Sequence, residues 1–99
     1  MKTFDKDELR WRVAEVLHYV WDPIGVAMEP AARGEYEEYV PKVLELVEIN
    51  NSPDLIAAYL SEVAEKQMGY KPNAKSVEHD SHVAQLLLDH KDAIKDGLW

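Results

Sequence analysis

The chain has no cysteine, four glycines and one phenylalanine among its 99 residues. Without cysteine it forms no disulfide, no thiolate nucleophile and no cysteine-ligated zinc or iron–sulfur centre. The glycines stand far apart, at positions 25, 34, 69 and 97, so no glycine-rich phosphate cradle exists. No apolar run approaches the roughly 18 residues that a membrane-spanning helix needs. The opening Met1-Lys2-Thr3-Phe4-Asp5-Lys6-Asp7-Glu8 is charged and has no apolar centre. It therefore lacks the pattern of a secretory leader, and the cytoplasm is the expected location. Basic residues are also scarce, 11 against 19 acidic ones, for a net charge of −8. That balance argues against nucleic-acid backbones, whose phosphates call for clustered Lys and Arg. It fits a basic protein partner, while solubility alone would also account for it.

What is present is a globular composition, 46% hydrophobic and 30% charged. The apolar share is too high for a disordered chain, and the length predicts a single domain over residues 1–99. Charge is uneven: residues 22–51 hold two basic and seven acidic groups, net −5 of the −8. An electrostatic surface is expected there.

The apolar spacing is helical throughout. Asp5 and Glu8 resemble a capping box ahead of a first helix over about 6–20, with Leu9, Val13, Val16, Leu17 and Val20 on one face. Trp21-Asp22-Pro23-Ile24-Gly25-Val26 then stops it, because proline cannot continue a helix and glycine permits a tight turn. A second helix is predicted over about 31–49, with Pro30 near its start and, because Pro41 lies inside it, a kink or a break near Tyr39–Val40. Ser52 and Pro53 suit the cap and first position of a third helix, which Gly69 ends. Ser76 is the expected cap of a fourth, with a stripe of Val83, Leu86, Leu87, His90 and Ile94 ending at Gly97. No segment alternates over a strand length. The predicted fold is all-α, a small antiparallel bundle of four helices.

Few residues suggest chemistry. His79 and His82 stand three apart and could share a metal, with Glu78 and Asp80 as nearby oxygen donors. The spacing departs from the four-residue separation of a His-Glu-x-x-His site, and a polar first helical turn explains the same residues. The reading therefore assigns no metal and no cofactor. His18 and His90 fall beside apolar stripes, where packed histidines with hydrogen-bond partners are expected rather than catalytic bases. No Ser/His/Asp arrangement occurs in a recognisable turn, and a small bundle offers little room for a substrate. No catalytic residue is assigned, and the pattern points away from an enzyme.

Two segments remain. Trp21-Asp22-Pro23-Ile24-Gly25-Val26 reads either as a plug between helices, with Trp21 and Ile24 packed into the bundle end, or as a recognition loop on a rigid scaffold. Glu35-Tyr36-Glu37-Glu38-Tyr39 interleaves rings with carboxylates, which suits contact with Arg and Lys. If the tyrosines project from the helix, Asp22, Glu35, Tyr36, Glu37, Glu38 and Tyr39 form the expected partner-binding set; otherwise both rings belong to the core. Together with Val40-Pro41 and Met68-Gly69-Tyr70, these segments resemble a group of small bacterial all-helical proteins with Trp-Asp-Pro-Ile-Gly and Glu-Tyr-x-x-Tyr segments. The resemblance covers roughly residues 10–90. It implies a bacterial, helical, free-standing domain and transfers no mechanism, and Tyr70 departs from the aliphatic residue usual there. The expectation is an acidic immunity or inhibitor-type module that neutralises a basic partner such as a toxin domain, as monomer or homodimer. The alternative is an oligomeric structural or regulatory subunit that uses Tyr59, Leu88, Leu98 and Trp99. A metal-binding protein ranks third.

Overall fold

A computed structural model describes residues 5–23, 25, 28, 34 and 36–97. Helix α1 spans Lys6–Val16, and Asp5 caps it by accepting the Glu8 amide at 2.9 Å. Leu9, Val13 and Val16 are buried, as their spacing predicts. The chain then continues as one π-helical turn, Leu17–Trp21, closed by the Asp22 amide bonding to the Leu17 carbonyl at 3.1 Å. This differs from the expected α-helix to residue 20. The wider turn rotates the register, so Trp21 takes the inward place at 2% exposure while Val20 turns out at 42%.

Glu37–Tyr39 forms a 3₁₀ turn that leads directly into α2, Val40–Ile49. Residues 31–33 and 35, where the start of the expected second helix falls, lie outside the described residues; from Glu37 the chain is not one kinked helix but a 3₁₀ turn that breaks to α-helix between Tyr39 and Val40. Pro41 lies in the first turn of α2, where its missing N–H is one of those without an intrahelical acceptor anyway. Proline starts this helix rather than bending it. Helix α3, Pro53–Lys66, opens on Ser52 and Pro53 as expected. Its end is a Schellman-type closure: Gly69 adopts φ +69° and the Tyr70 amide reaches back to the Ala64 carbonyl at 2.8 Å. Helix α4, Ala74–Lys95, begins earlier than expected. Asn73 is its cap, and Ser76 is the reciprocal partner, their side chains bonding each other's backbone amides at 3.0 and 2.9 Å.

Among the described residues there are four α-helices and no strand. Helix α4 is the organising element, packing most extensively on α3 and also on α1 and α2. The buried apolar residues of all four helices form one continuous cluster, with Trp21 and Tyr36 among them. The Cα radius of gyration, 13.3 Å, is that of a folded domain of this length. No helix of the described residues is long and apolar enough to cross a membrane.

Candidate functional site

Two polar residues interrupt the apolar face of α4, and each finds its partners on other elements. Asp80 is 5% exposed. One carboxylate oxygen accepts the Trp21 indole N–H at 3.0 Å, and the other accepts the Ser61 hydroxyl at 2.6 Å. Lys91, one helical face further along, is 6% exposed. Its ammonium donates to the carbonyls of Val47 and Asn50, both at 2.8 Å, and to Asn51 Oδ1 at 3.3 Å. It thereby closes the C-terminus of α2, where carbonyls lack intrahelical donors. Burial, with Lys95 adding to it, pushes the Lys91 pKa down, and Asp92 opposes the shift.

The Trp21-Asp22-Pro23 segment sits at the Asp80 end. Asp22 adopts the left-handed conformation, φ 30° and ψ 60°, the sole non-glycine residue with positive φ among those described. Such a conformation costs of order 1–3 kcal/mol and persists where surrounding contacts hold it. One such contact is the Tyr36 hydroxyl, which donates to Asp22 Oδ1 at 2.6 Å. Trp21 also packs against Tyr36, with centroids 5.4 Å apart, and edge-on against Tyr39 at 6.4 Å. A cleft of about 390 Å³ opens beside this cluster. Tyr19 and Trp21 line it from the π turn, Ser61 from α3, Tyr70 from the α3–α4 connection, and His79 and Asp80 from α4. His79 Nε2 lies 2.8 Å from the Val20 carbonyl. A carbonyl only accepts, so that nitrogen carries the proton.

Of the six residues expected to bind a partner, the five described ones differ in exposure. Tyr36 is 2% exposed, so its ring belongs to the core and offers no contact area. Its hydroxyl and Asp22 are tied to each other. Tyr39 is partly buried against the same core. Glu37 and Glu38 are exposed, and Glu35 lies outside the described residues. What the sequence reading missed is a neighbour. The Tyr59 phenol on α3 is pushed above its ordinary pKa by burial, then by Glu62, then by Glu38. The 3₁₀ turn and α3 thus present Glu38, Glu62 and Tyr59 together. From sequence Asp80 reads as part of a polar first turn, yet it is buried; the signal that places it inward is its spacing of three, four and seven residues ahead of Val83, Ala84 and Leu87.

The histidines take separate places. His79 and His82 are exposed, and among the described residues no group of three or more metal-ligating side chains converges. His18 is buried edge-on to Tyr19, with centroids 4.5 Å apart. Its Nδ1 has no hydrogen-bond partner, unlike the expected packed histidine. His90 does have one: its Nδ1 lies 3.1 Å from Arg12 Nη1, and Arg12 also bonds Glu8 at 3.0 Å. Arginine always donates, so His90 Nδ1 is unprotonated here. Burial, then the Arg12 guanidinium, lower the His90 pKa, with Asp89 and Glu8 opposing. The unfolded chain therefore takes this proton more readily. The stability that His90 contributes is present above pH about 6.5 and falls as pH drops from there to the lowered folded value. Urea midpoints at about pH 7.5 and about pH 5 should show a larger acid loss for the native chain than for His90→Gln. Equal losses would show that this pair has no part in the pH response.

Among the residues suspected of oligomer contacts, Leu88 is buried within the chain at 4% exposure, and Tyr59 is half-buried. Leu98 and Trp99 lie outside the described residues, as does Ile24 of the predicted plug. No family model matches the chain, and no curated protein or solved structure matches it significantly.

Proposed function

We infer that this chain is an acidic protein-binding module of the inhibitor or immunity type, which works by covering a basic surface of a partner such as a bacterial toxin domain. The observation that carries this reading is the exposed pair Glu37 and Glu38 on a 3₁₀ turn, with Glu38, like Glu62 of α3, near enough to Tyr59 to act on its phenol. The turn is anchored from beneath by Tyr36 and Tyr39 against Trp21, so its carboxylates stand on a rigid base. Pre-organised charge of this kind steers a cationic partner and lowers the ordering cost of binding. The cytoplasmic location belongs to the same reading.

The test is capture from a bacterial lysate on the immobilised chain at low salt, followed by a salt step. One stoichiometric basic protein should be retained and released by salt, because contacts dominated by exposed charge are screened. The double variant Glu37→Lys, Glu38→Lys should lose that partner while keeping the native helical signal. Retention by the variant equal to that of the native chain overturns the reading. A second reading, a homodimer, rests on Trp11, which is 61% exposed on α1. Light scattering that shows a monomer at every concentration removes it.

A further inference from the structure

We propose that the cleft between the π turn, α3 and α4 receives an arginine side chain of the basic partner. The proposal rests on the protein-binding reading and supplies that reading with a specific contact. Its first support is charge. Asp80 lines the cleft, and its two hydrogen bonds come from neutral donors, Trp21 and Ser61. Among the described residues no Lys, Arg or His pairs with it. A guanidinium that reaches this carboxylate would add the charge-assisted bond that its two neutral donors do not supply. A carboxylate has about four acceptor positions, so two direct bonds leave capacity for a guanidinium fork. Asp22 also lines the cleft. Among the described residues the Lys or Arg on its wall is Lys75, which is exposed and hence solvent-screened. An anionic ligand would meet the Asp80 carboxylate.

Shape and surface chemistry point the same way. About 390 Å³ holds a long side chain but not a folded segment. Tyr19 and Tyr70 stand at its walls with 52% and 37% of their surface exposed. A planar guanidinium stacks on such rings and forks onto a carboxylate, whereas an ammonium does only the point-charge part. The wall is also rigid, since the π turn, the left-handed Asp22 and the Trp21–Asp80 bond fix one another. Both a π turn and a strained residue occur often at binding sites.

The experiment is an NMR titration of the full ¹⁵N-labelled chain with acetyl-Gly-Arg-Gly-amide, alongside peptides carrying lysine or citrulline at the centre. The Trp21 indole N–H is the reporter because it donates to Asp80, and the indole of Trp11, outside the cleft, is the internal control. A saturable Trp21 shift is expected with the arginine peptide, with affinity about tenfold weaker for citrulline. Asp80→Asn keeps the shape: its carbonyl accepts from Trp21 and its amide donates to Ser61. It should weaken arginine binding about tenfold. Tyr70→Ala, at an exposed rim position, should weaken it several-fold and serves if Asp80→Asn does not fold. No saturable Trp21 shift, equal binding of citrulline, or native affinity in the folded variants overturns the proposal. The Glu37→Lys, Glu38→Lys chain has both substitutions outside the cleft lining and should keep a saturable Trp21 shift, weakened only by its less negative charge. If the peptide fails while that variant still loses its partner, the cleft proposal falls alone. If the peptide binds but no partner depends on the turn, the reading of the turn falls alone.

Discussion

Trp21→Ala is expected to cost the fold about 4 kcal/mol, the size found when a large buried aromatic is truncated. Trp21 is 2% exposed and contacts the rings of both Tyr36 and Tyr39. Its loss empties the junction between the π turn and the 3₁₀ turn. It also removes the indole N–H from Asp80, leaving one oxygen of a buried carboxylate without its donor. That second effect is separable. Trp21→Phe retains most of the ring contact and should cost about 1.5–3 kcal/mol, the range for a hydrogen bond to a charged group. Urea unfolding reads both. With a slope of about 2 kcal/mol per molar, the alanine variant should lose about 2 M in midpoint and the phenylalanine variant about 1 M. Equal shifts would assign the whole role to the indole N–H. A loss below about 1 kcal/mol for alanine would contradict the packing described for this residue. Because Trp21 also lines the cleft, peptide binding should fail in the alanine variant, and that result alone would not test the cleft's chemistry.

The second large effect is at the other end of α4. Lys91→Met is expected to destabilise by about 2–3 kcal/mol. Methionine keeps an unbranched apolar stem of similar length, so packing is nearly conserved. What goes is the ammonium that satisfies the Val47 and Asn50 carbonyls and Asn51 Oδ1. Orphaned buried acceptors cost of order 1–3 kcal/mol, and relief from burying a charge offsets part of that. Asn50 already bonds the Leu46 carbonyl through both its amide and its side chain, so only part of the α2 terminus is released. Hydrogen exchange should therefore show the last turn of α2 opening more readily than its first turn. Uniform loss of protection across α2 would mean that Lys91 supports the bundle rather than the cap. A variant as stable as the native chain would mean that desolvation cancels the three bonds.

Both residues show where sequence reasoning ends. Trp21 was legible as a helix stop and, in the plug reading, as a ring packed into the bundle end, where it is 2% exposed; its partner Asp80 was not. Asp80 reads from sequence as part of a polar first turn and Lys91 does not stand out, and nothing in the chain named what would satisfy either of them. The binding set shows the same limit. Tyr36 and Tyr39 share a local pattern with Glu37 and Glu38, yet the fold buries one ring, half-buries the other and exposes both carboxylates. Glu62 and Tyr59, which complete that surface, lie about 20 positions along the chain.

The division follows from the range of the forces. Caps, helix stops and apolar stripes depend on residues within about four positions, so Asp5, Ser52-Pro53, Gly69 and the faces of the four helices can be read from the chain itself. Even there, neighbouring candidates compete. Asn73 caps α4 with Ser76 as its partner, and Pro41 opens α2 because a missing amide is harmless only in a first turn. Packing alone set the rest. The π turn, the left-handed Asp22 and the outward Val20 exist because Trp21 must reach Asp80, 59 residues away. Lys91 likewise holds the end of α2 from 44 residues away. A buried charge takes whichever partners the assembled helices bring to it, and no local pattern carries that information.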